Sequence, residues 1–286
     1  MAGLSQSSGL SGAAGLSAGA GLSQGAGLTA PDGIIINNPA FTAAANSFLT
    51  RAANSLGAEP SSTYQGAVDQ MIRDMQADGS WDECVFVLNL SAPSQAVALM
   101  DWKQDRSATL SGTTTFTANS GILLGSNPAF INTGILLPAQ NDAHVSVRIG
   151  TYVYASQRTL IFTQTSTTTS LRTPATTNTG NPSSRMNSTS ELGGTSGLFT
   201  DLTGQTFLNR TNSADYALIN GANSETITRI SAAPAGTISF GGSSTANAYL
   251  GSRFHGGTVG NSLTAGQMAT IAAAFATFRT TMSSTN

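Results

Sequence analysis

Residues able to carry acid–base or nucleophilic chemistry are sparse in this chain. It has two histidines, His144 and His255, and one cysteine, Cys84. No HExxH, CxxC or paired-histidine spacing occurs, so the sequence offers no donor set for a transition metal. Serines are abundant, but no elbow between a predicted strand and helix marks one of them as a nucleophile. Each histidine therefore reads as a hydrogen-bonded strand or loop residue. Glycoside hydrolysis needs two carboxylates about 5–10 Å apart. Glu59, Glu83, Glu191 and Glu225 are scattered, and no predicted strand carries acids at i and i+2 or i+4, so no catalytic residue is assigned and an enzyme is not expected. Binding chemistry is better represented. Asp101-Trp102, Asn141-Asp142 and Tyr152/Tyr154 combine aromatic rings with amide and carboxylate groups, as a shallow sugar site requires. Trp102, Asn141, Asp142 and Tyr152 are the candidate glycan-binding residues, and an oxygen-ligated Ca²⁺ is compatible with that chemistry. The competing reading buries Trp102 and makes Asn141 part of a turn.

The bulk of the chain narrows the classes further. Charged residues make up 9% and the net charge is -2, so no basic stripe exists to displace counterions from a nucleic acid. With Cys84 alone there is no disulfide framework, and a buried thiol is expected. No apolar run approaches the ~20 residues of a membrane helix. The N-terminus has no positive region followed by an apolar core, so no signal peptide is expected, and Gly3 is misplaced for myristoylation.

Positioning elements come next. The densest strand signals lie in 119–154. Ile122-Leu123-Leu124, Phe130-Ile131 and Ile135-Leu136-Leu137 are short apolar runs separated by Gly, Asn and Pro. Val145, Val147 and Ile149 then alternate with Ser146 and Arg148, the mark of a half-buried antiparallel strand. Each inward Val or Ile contributes roughly 1.5–3 kcal/mol when fully buried. Further strands are expected at 85–88, 97–100, 109–117, 160–163, 205–210, 216–219, 226–230, 237–240 and 249–255. Residues 165–190 are almost wholly Ser, Thr, Asn, Gly and Pro, which reads as an exposed loop.

Helical periodicity flanks this β region. Asn38-Pro39 suggests an N-cap and first helical position, followed by Phe41, Ala45, Phe48, Ala52 and Leu56 on one face. Tyr64, Val68, Met71, Ile72 and Met75 mark a second helix ending at Gly79. At the C-terminal end Thr264 and Gln267 have capping-box spacing ahead of Met268, Ile271, Ala272, Phe275, Phe278 and Met282. The boundaries are 1–37 for an extended arm, 38–79 for a helical hairpin, and 80–286 for a β-sandwich with its C-terminal helix.

The arm is a repeat. Gly-Leu recurs at Gly3-Leu4, Gly9-Leu10, Gly15-Leu16, Gly21-Leu22 and Gly27-Leu28, a period of six. In an extended chain, Leu4, Leu10, Leu16, Leu22 and Leu28 share one face at intervals of about 20 Å, given ~3.3 Å per residue. A glycine-rich strand does not fold alone. Either it is a flexible tail, or it orders against other chains, as in a homotrimer or along a partner's surface.

The order of several short motifs resembles phage virion proteins with a concanavalin A-like (laminin-G-like) jelly-roll domain. They are Asp78-Gly79-Ser80-Trp81, Ala98-Leu99-Met100-Asp101-Trp102-Lys103, Phe116-Thr117-Ala118-Asn119-Ser120-Gly121, Phe130-Ile131-Asn132-Thr133-Gly134, Asn141-Asp142-Ala143-His144, Asn209-Arg210-Thr211, Ile219-Asn220-Gly221 and Leu263-Thr264-Ala265. The resemblance spans about Tyr64 to Met282 and leaves out residues 1–38. It implies a mainly β fold, an antiparallel sandwich, on a non-enzymatic virion structural protein: a tail, neck or head appendage or a capsid decoration. Its partners would be other virion proteins reached through the arm, and further copies of itself, with a trimer favoured. A host-glycan-binding adsorption protein on the same fold is the alternative, and a glycan hydrolase ranks last.

Overall fold

The computed structural model describes residues 33–125, 128–150, 159–164, 168–173, 182–190, 192–193, 199, 201–242 and 253–284. The arm leucines Leu4, Leu10, Leu16, Leu22 and Leu28 lie outside the described residues. The chain separates into two units, Met1–Ile34 and Ile35–Asn286, and every element named below belongs to the second.

Apolar spacing of three and four produces the helices. α1 (Ala43–Leu56) buries Ala45, Phe48, Leu49, Ala52 and Ala53, and α2 (Ser62–Ala77) buries Tyr64, Val68, Met71, Ile72 and Met75. α1 begins later than Asn38-Pro39 suggests. The Asn38 carboxamide oxygen accepts from Ala40 N at 2.9 Å and the Phe41 amide donates to Asn38 O at 2.9 Å, which closes a turn before the helix. Thr42 is the N-cap instead, its hydroxyl accepting from Ala45 N at 3.1 Å. Upstream, Ile36 is tied to α1 by two hydrogen bonds with Thr50 Oγ1 and forms no strand. α3 (Ser80–Glu83) and α4 (Gln95–Ala98) are single turns. The strand expected at 97–100 is replaced by α4, because Ser94 caps it by accepting from Val97 N at 3.3 Å. α5 (Ala265–Ser283) starts at the anticipated capping box, with both Thr264–Gln267 hydrogen bonds formed.

The β body is a sandwich of two antiparallel sheets. Among the described residues one has 8 strands: β1 (Cys84–Asn89), β3 (Thr114–Thr117), β4 (Gly121–Leu124), β6 (Ala143–Ile149), β11 (Gly204–Arg210), β12 (Asp215–Asn220), β13 (Asn223–Thr228) and β15 (Arg253–Gly260). Their order is β13-β12-β11-β6-β15-β4-β3, and β1 continues the β4 edge of β15. The other has 7 strands: β2 (Thr109–Ser111), β5 (Phe130–Asn132), β7 (Thr159–Thr163), β8 (Ser170–Arg172), β9 (Ser183–Arg185), β10 (Leu192–Gly193) and β14 (Ile238–Phe240), in the order β10-β9-β8-β7-β14-β5-β2. The chain switches sheets at each step from β4 to β7. β14 then enters between β7 and β5, and β15 between β6 and β4. This interleaving is a jelly-roll path.

Three sequence expectations change here. The stretch 109–117 splits between sheets as β2 and β3. Ile135-Leu136-Leu137 forms no strand, although Ile135 and Leu137 are buried. The Ser/Thr-rich stretch holds β8 and β9, with Ser170 and Ser184 fully buried. Their hydroxyls find partners inside: Arg185 Nε donates to Ser170 Oγ, and Ser184 Oγ pairs with Tyr216 Oη. Small β-branched or hydroxyl residues read as loop, but they fit a sheet once those bonds are met.

β6 is covered on both faces. Val145 and Val147 face the second sheet, while His144 and Ser146 on the opposite face are also buried. α2 and α5 supply that second cover. Phe48 stacks on Trp102 with ring centres 4.8 Å apart, and Phe278 of α5 meets Trp102 at 5.5 Å and Tyr64 at 5.8 Å, edge on. Close approach of α5 requires glycine in β15. Gly256 has φ 143, and a methyl there would lie 2.2 Å from Leu88 O and 2.7 Å from the Phe275 ring.

Candidate functional site

The sequence-nominated glycan residues do not gather at one place. Trp102 is 1% exposed in the helical layer and presents no face to a sugar. Neighbouring Asp101 is a structural staple. Its carboxylate accepts from Val87 N at 3.2 Å, Lys103 N at 3.0 Å and Arg106 Nε at 2.7 Å, pinning the 101–106 turn to β1. Burial still raises its pKa above the usual carboxylate value, against those bonds. Tyr152 lies outside the described residues. Asn141 and Asp142 are exposed, at the start of β6.

Sheet register surrounds that corner with polar groups. Cys84, Gly260, His144 and Asn209 form one row across β1, β15, β6 and β11. In this row and up to two residues beyond it, groups at the strand ends clamp 261–263. Asn261 N donates to Glu83 O at 2.9 Å, and Asn261 Nδ2 to Glu83 Oε2 at 3.1 Å. Ser262 N donates to Asp142 Oδ1 at 2.8 Å, and Leu263 N to Asn209 Oδ1 at 2.9 Å. Glu83 and Asp142 are thus fixed at the rim through one oxygen each, with further lone pairs available to hydroxyl donors. Sequence reasoning named Asn141 and Asp142 and missed Glu83, Asn261 and Ser262, which only the register brings alongside. Ca²⁺ takes about six to eight oxygen ligands. Among the described residues no group of three or more His, Cys, Asp or Glu side chains converges on one point, so they do not fit such a cage.

Beneath the rim lies a directed hydrogen-bond chain. His144 Nδ1 faces the Asn261 carbonyl and therefore carries the proton, leaving Nε2 to accept from Thr258 Oγ1 at 2.9 Å. Thr258 Oγ1 is 2.7 Å from Ser146 Oγ, which accepts from Gln205 Nε2 at 2.7 Å. Burial lowers the His144 pKa to about 4, partly opposed by its bond to Asn261 and by Asp142. A neutral, fully buried imidazole whose two nitrogens are both occupied holds strands together and has no site for a reacting atom. Cys84, in the same row, is buried and free, with its thiol pushed up to about 12 by burial.

No family model and no curated protein matches the chain. A mutant of Trypanosoma rangeli sialidase with trans-sialidase activity aligns at TM-score 0.47 and 8% identity, over 75% of this chain and 39% of that one. Domain 4 of the extracellular arabinanase AbnA from Geobacillus stearothermophilus, solved with arabinotriose, aligns at 0.45 and 14% identity, over 65% and 99%. The Ca²⁺-bound exoplasmic/lumenal domain of VIP36 aligns at 0.34 and 12% identity, over 62% and 90%. This chain therefore spans well under half the length of the sialidase it matches.

Proposed function

We propose that the chain is a non-catalytic carbohydrate-recognition protein that reads sugar hydroxyls at the rim formed by Glu83, Asn141, Asp142, Asn261 and Ser262. One observation carries this reading. The rim side chains are exposed or half-buried hydrogen-bonding groups, with the Asp142 carboxylate already held by the Ser262 amide and that of Glu83 by the Asn261 carboxamide, while the two histidines that could act as bases are buried. Preorganised acceptors suit hydroxyl-rich ligands, because little ordering entropy remains to be lost on binding. The test is a glycan array on the full chain beside an Asp142→Ala variant. Retention of a glycan by the wild type and its loss in the variant is the expected result; no retention at millimolar glycan overturns the reading. Product analysis on a bound polysaccharide separates recognition from hydrolysis, and no new reducing ends are expected.

A second reading rests on the period-six leucines of the arm. Here the chain is a structural protein of a phage virion, docked on other virion proteins through Leu4, Leu10, Leu16, Leu22 and Leu28 and assembled as a homotrimer. Five leucines on one face of an extended segment suit an apolar groove, whereas a plain spacer has no need of a fixed apolar period. Limited proteolysis of the free protein and of an assembled particle tests it. An arm cut equally fast in both removes this reading.

A further inference from the structure

The second histidine stands in a very different setting. His255 occupies the irregular step between Phe254 and Gly256, where β15 slips against β6. Its ring is 2% exposed and wedged against two glycines: a methyl on Gly150 would come within 2.6 Å of Nε2, and one on Gly121 within 3.2 Å of Nδ1. Neither ring nitrogen closes a hydrogen bond of normal geometry, and the nearby Ser120 backbone opposes only part of the fall in the ring's proton affinity.

Three arginines lie near enough to this ring to disfavour its protonation. Arg148 comes from β6 and Arg253 from β15, both on the face that α5 covers. Arg279 lies seven residues beyond Ala272 on α5, so it points down the same side of the helix. Arg148 Nη1 reaches the Ala272 carbonyl at 3.4 Å, while Arg148 Nε and Arg253 Nη1 are buried with no partner. Burial lowers the His255 pKa to about 3, with Arg279, Arg148 and Arg253 adding to the fall. Burial also lowers that of Arg148, and Arg279 adds to it. The ion pairs among the described residues, Arg73–Asp69 and Arg106–Asp101, involve none of these groups. Like charges gathered in a half-buried place repel one another, and in this chain no carboxylate among the described residues offsets them.

We propose that Arg148, Arg253 and Arg279, with the neutral His255 ring as floor, form an oxyanion-binding site at the outer face of the 8-stranded sheet. The ligand is a carboxylate, sulfate or phosphate, either as a free ion or as the acidic group of a polysaccharide. Guanidinium forks pair with such groups through two parallel N–H···O bonds. The site lies on different residues from the rim and stands or falls independently of the sugar reading there.

Inorganic sulfate is the probe. Titrated into the full chain and followed by calorimetry and thermal melting, it should bind saturably and raise the melting temperature. Arg279→Ala and Arg253→Gln should each weaken sulfate roughly tenfold or more, as expected for a lost charge-assisted contact, while Arg279→Lys retains part of the affinity. Arg279 is exposed, so its replacement leaves the core intact, which circular dichroism verifies. In ¹⁵N spectra sulfate should shift the ring signals of His255 and leave those of His144 in place. Competition by a uronic-acid polymer, but not by a neutral one, assigns the ligand to an acidic glycan; no competition assigns it to the free ion. Absence of saturable binding at tens of millimolar sulfate, or unchanged affinity in both arginine variants, overturns the proposal.

Discussion

The two ends of β15 carry the same residue type in opposite circumstances. His144 meets the far end of the strand at Gly260, and both its nitrogens are used, by Asn261 and Thr258. His255, near the strand's start, has neither nitrogen used and faces three arginines. Both rings are buried, and burial is the first cause of lowered proton affinity in each. Burial alone therefore does not separate a structural group from a binding group. What separates them is whether the polar atoms are satisfied within the fold, because an unsatisfied buried donor or acceptor carries a penalty of about 1–3 kcal/mol that only a ligand or water can relieve.

The strongest way to break this comparison is to disturb the strand between the two ends. Gly256→Ala places a methyl 2.2 Å from Leu88 O at φ 143, and a loss of stability on the order of 4 kcal/mol is expected in urea unfolding. A loss below about 1 kcal/mol would mean that α5 and β1 yield more easily than their packing suggests.

Next in size is the direct contrast. His144→Ala strands the Asn261 carbonyl, leaves the Thr258 hydroxyl with Ser146 as its one side-chain partner, and should destabilise by about 2–4 kcal/mol. His255→Ala forfeits no hydrogen bond and should cost about 1–2 kcal/mol, the packing part alone. Equal losses would erase the distinction.

Acid sharpens it. Each histidine is neutral in the fold and binds a proton more readily once unfolded, so stability is fully present above the unfolded value of 6.5 and declines as pH falls. For His144 the decline runs from there to about 4, and for His255 to about 3, each on the order of 1 kcal/mol per pH unit. Sulfate at pH 5 should restore part of the His255 share and none of the His144 share, as judged by denaturation midpoints of the two Ala variants.

The smallest stability effect belongs to the rim. Asp142→Ala removes one bond to Ser262 N and should shift unfolding by no more than about 1 kcal/mol while abolishing glycan retention. A large loss of stability would recast Asp142 as a clamp for 261–263 and weaken its role in recognition.

Much of the fold was legible from residue pattern, because apolar period and capping chemistry are local. The faces of α1, α2 and α5 and the strands at 84–89, 121–124, 130–132, 143–149, 204–210 and 215–220 follow from them. What local pattern could not show was which polar residues end up inside. Ser146 alternates with valines like a solvent-facing residue and is fully buried, its hydroxyl bonded to Thr258 and Gln205 from strands far along the chain. β8 and β9 were hidden for the same reason, since Thr and Ser look like loop until distant partners satisfy them. Of the candidate glycan residues, Asn141 and Asp142 stand at an exposed corner and Trp102 belongs to the core. The Arg148–Arg253–Arg279 group lay beyond reach, because its members are scattered in sequence and only the sheet register and the α5 crossing unite them.

The late insertion of β14 and β15 has a consequence for biogenesis. Both sheets keep a gap, between β7 and β5 and between β6 and β4, until residues 238–260 arrive to fill it. A ribosome must therefore release the chain through residue 240 before one layer can close and through residue 260 before the other can, and the earlier strands wait with bare edges in the meantime. Contacts this distant in sequence make for slow folding. Newly made chains thus pass through an interval of vulnerability to aggregation, in which chaperones have most to do.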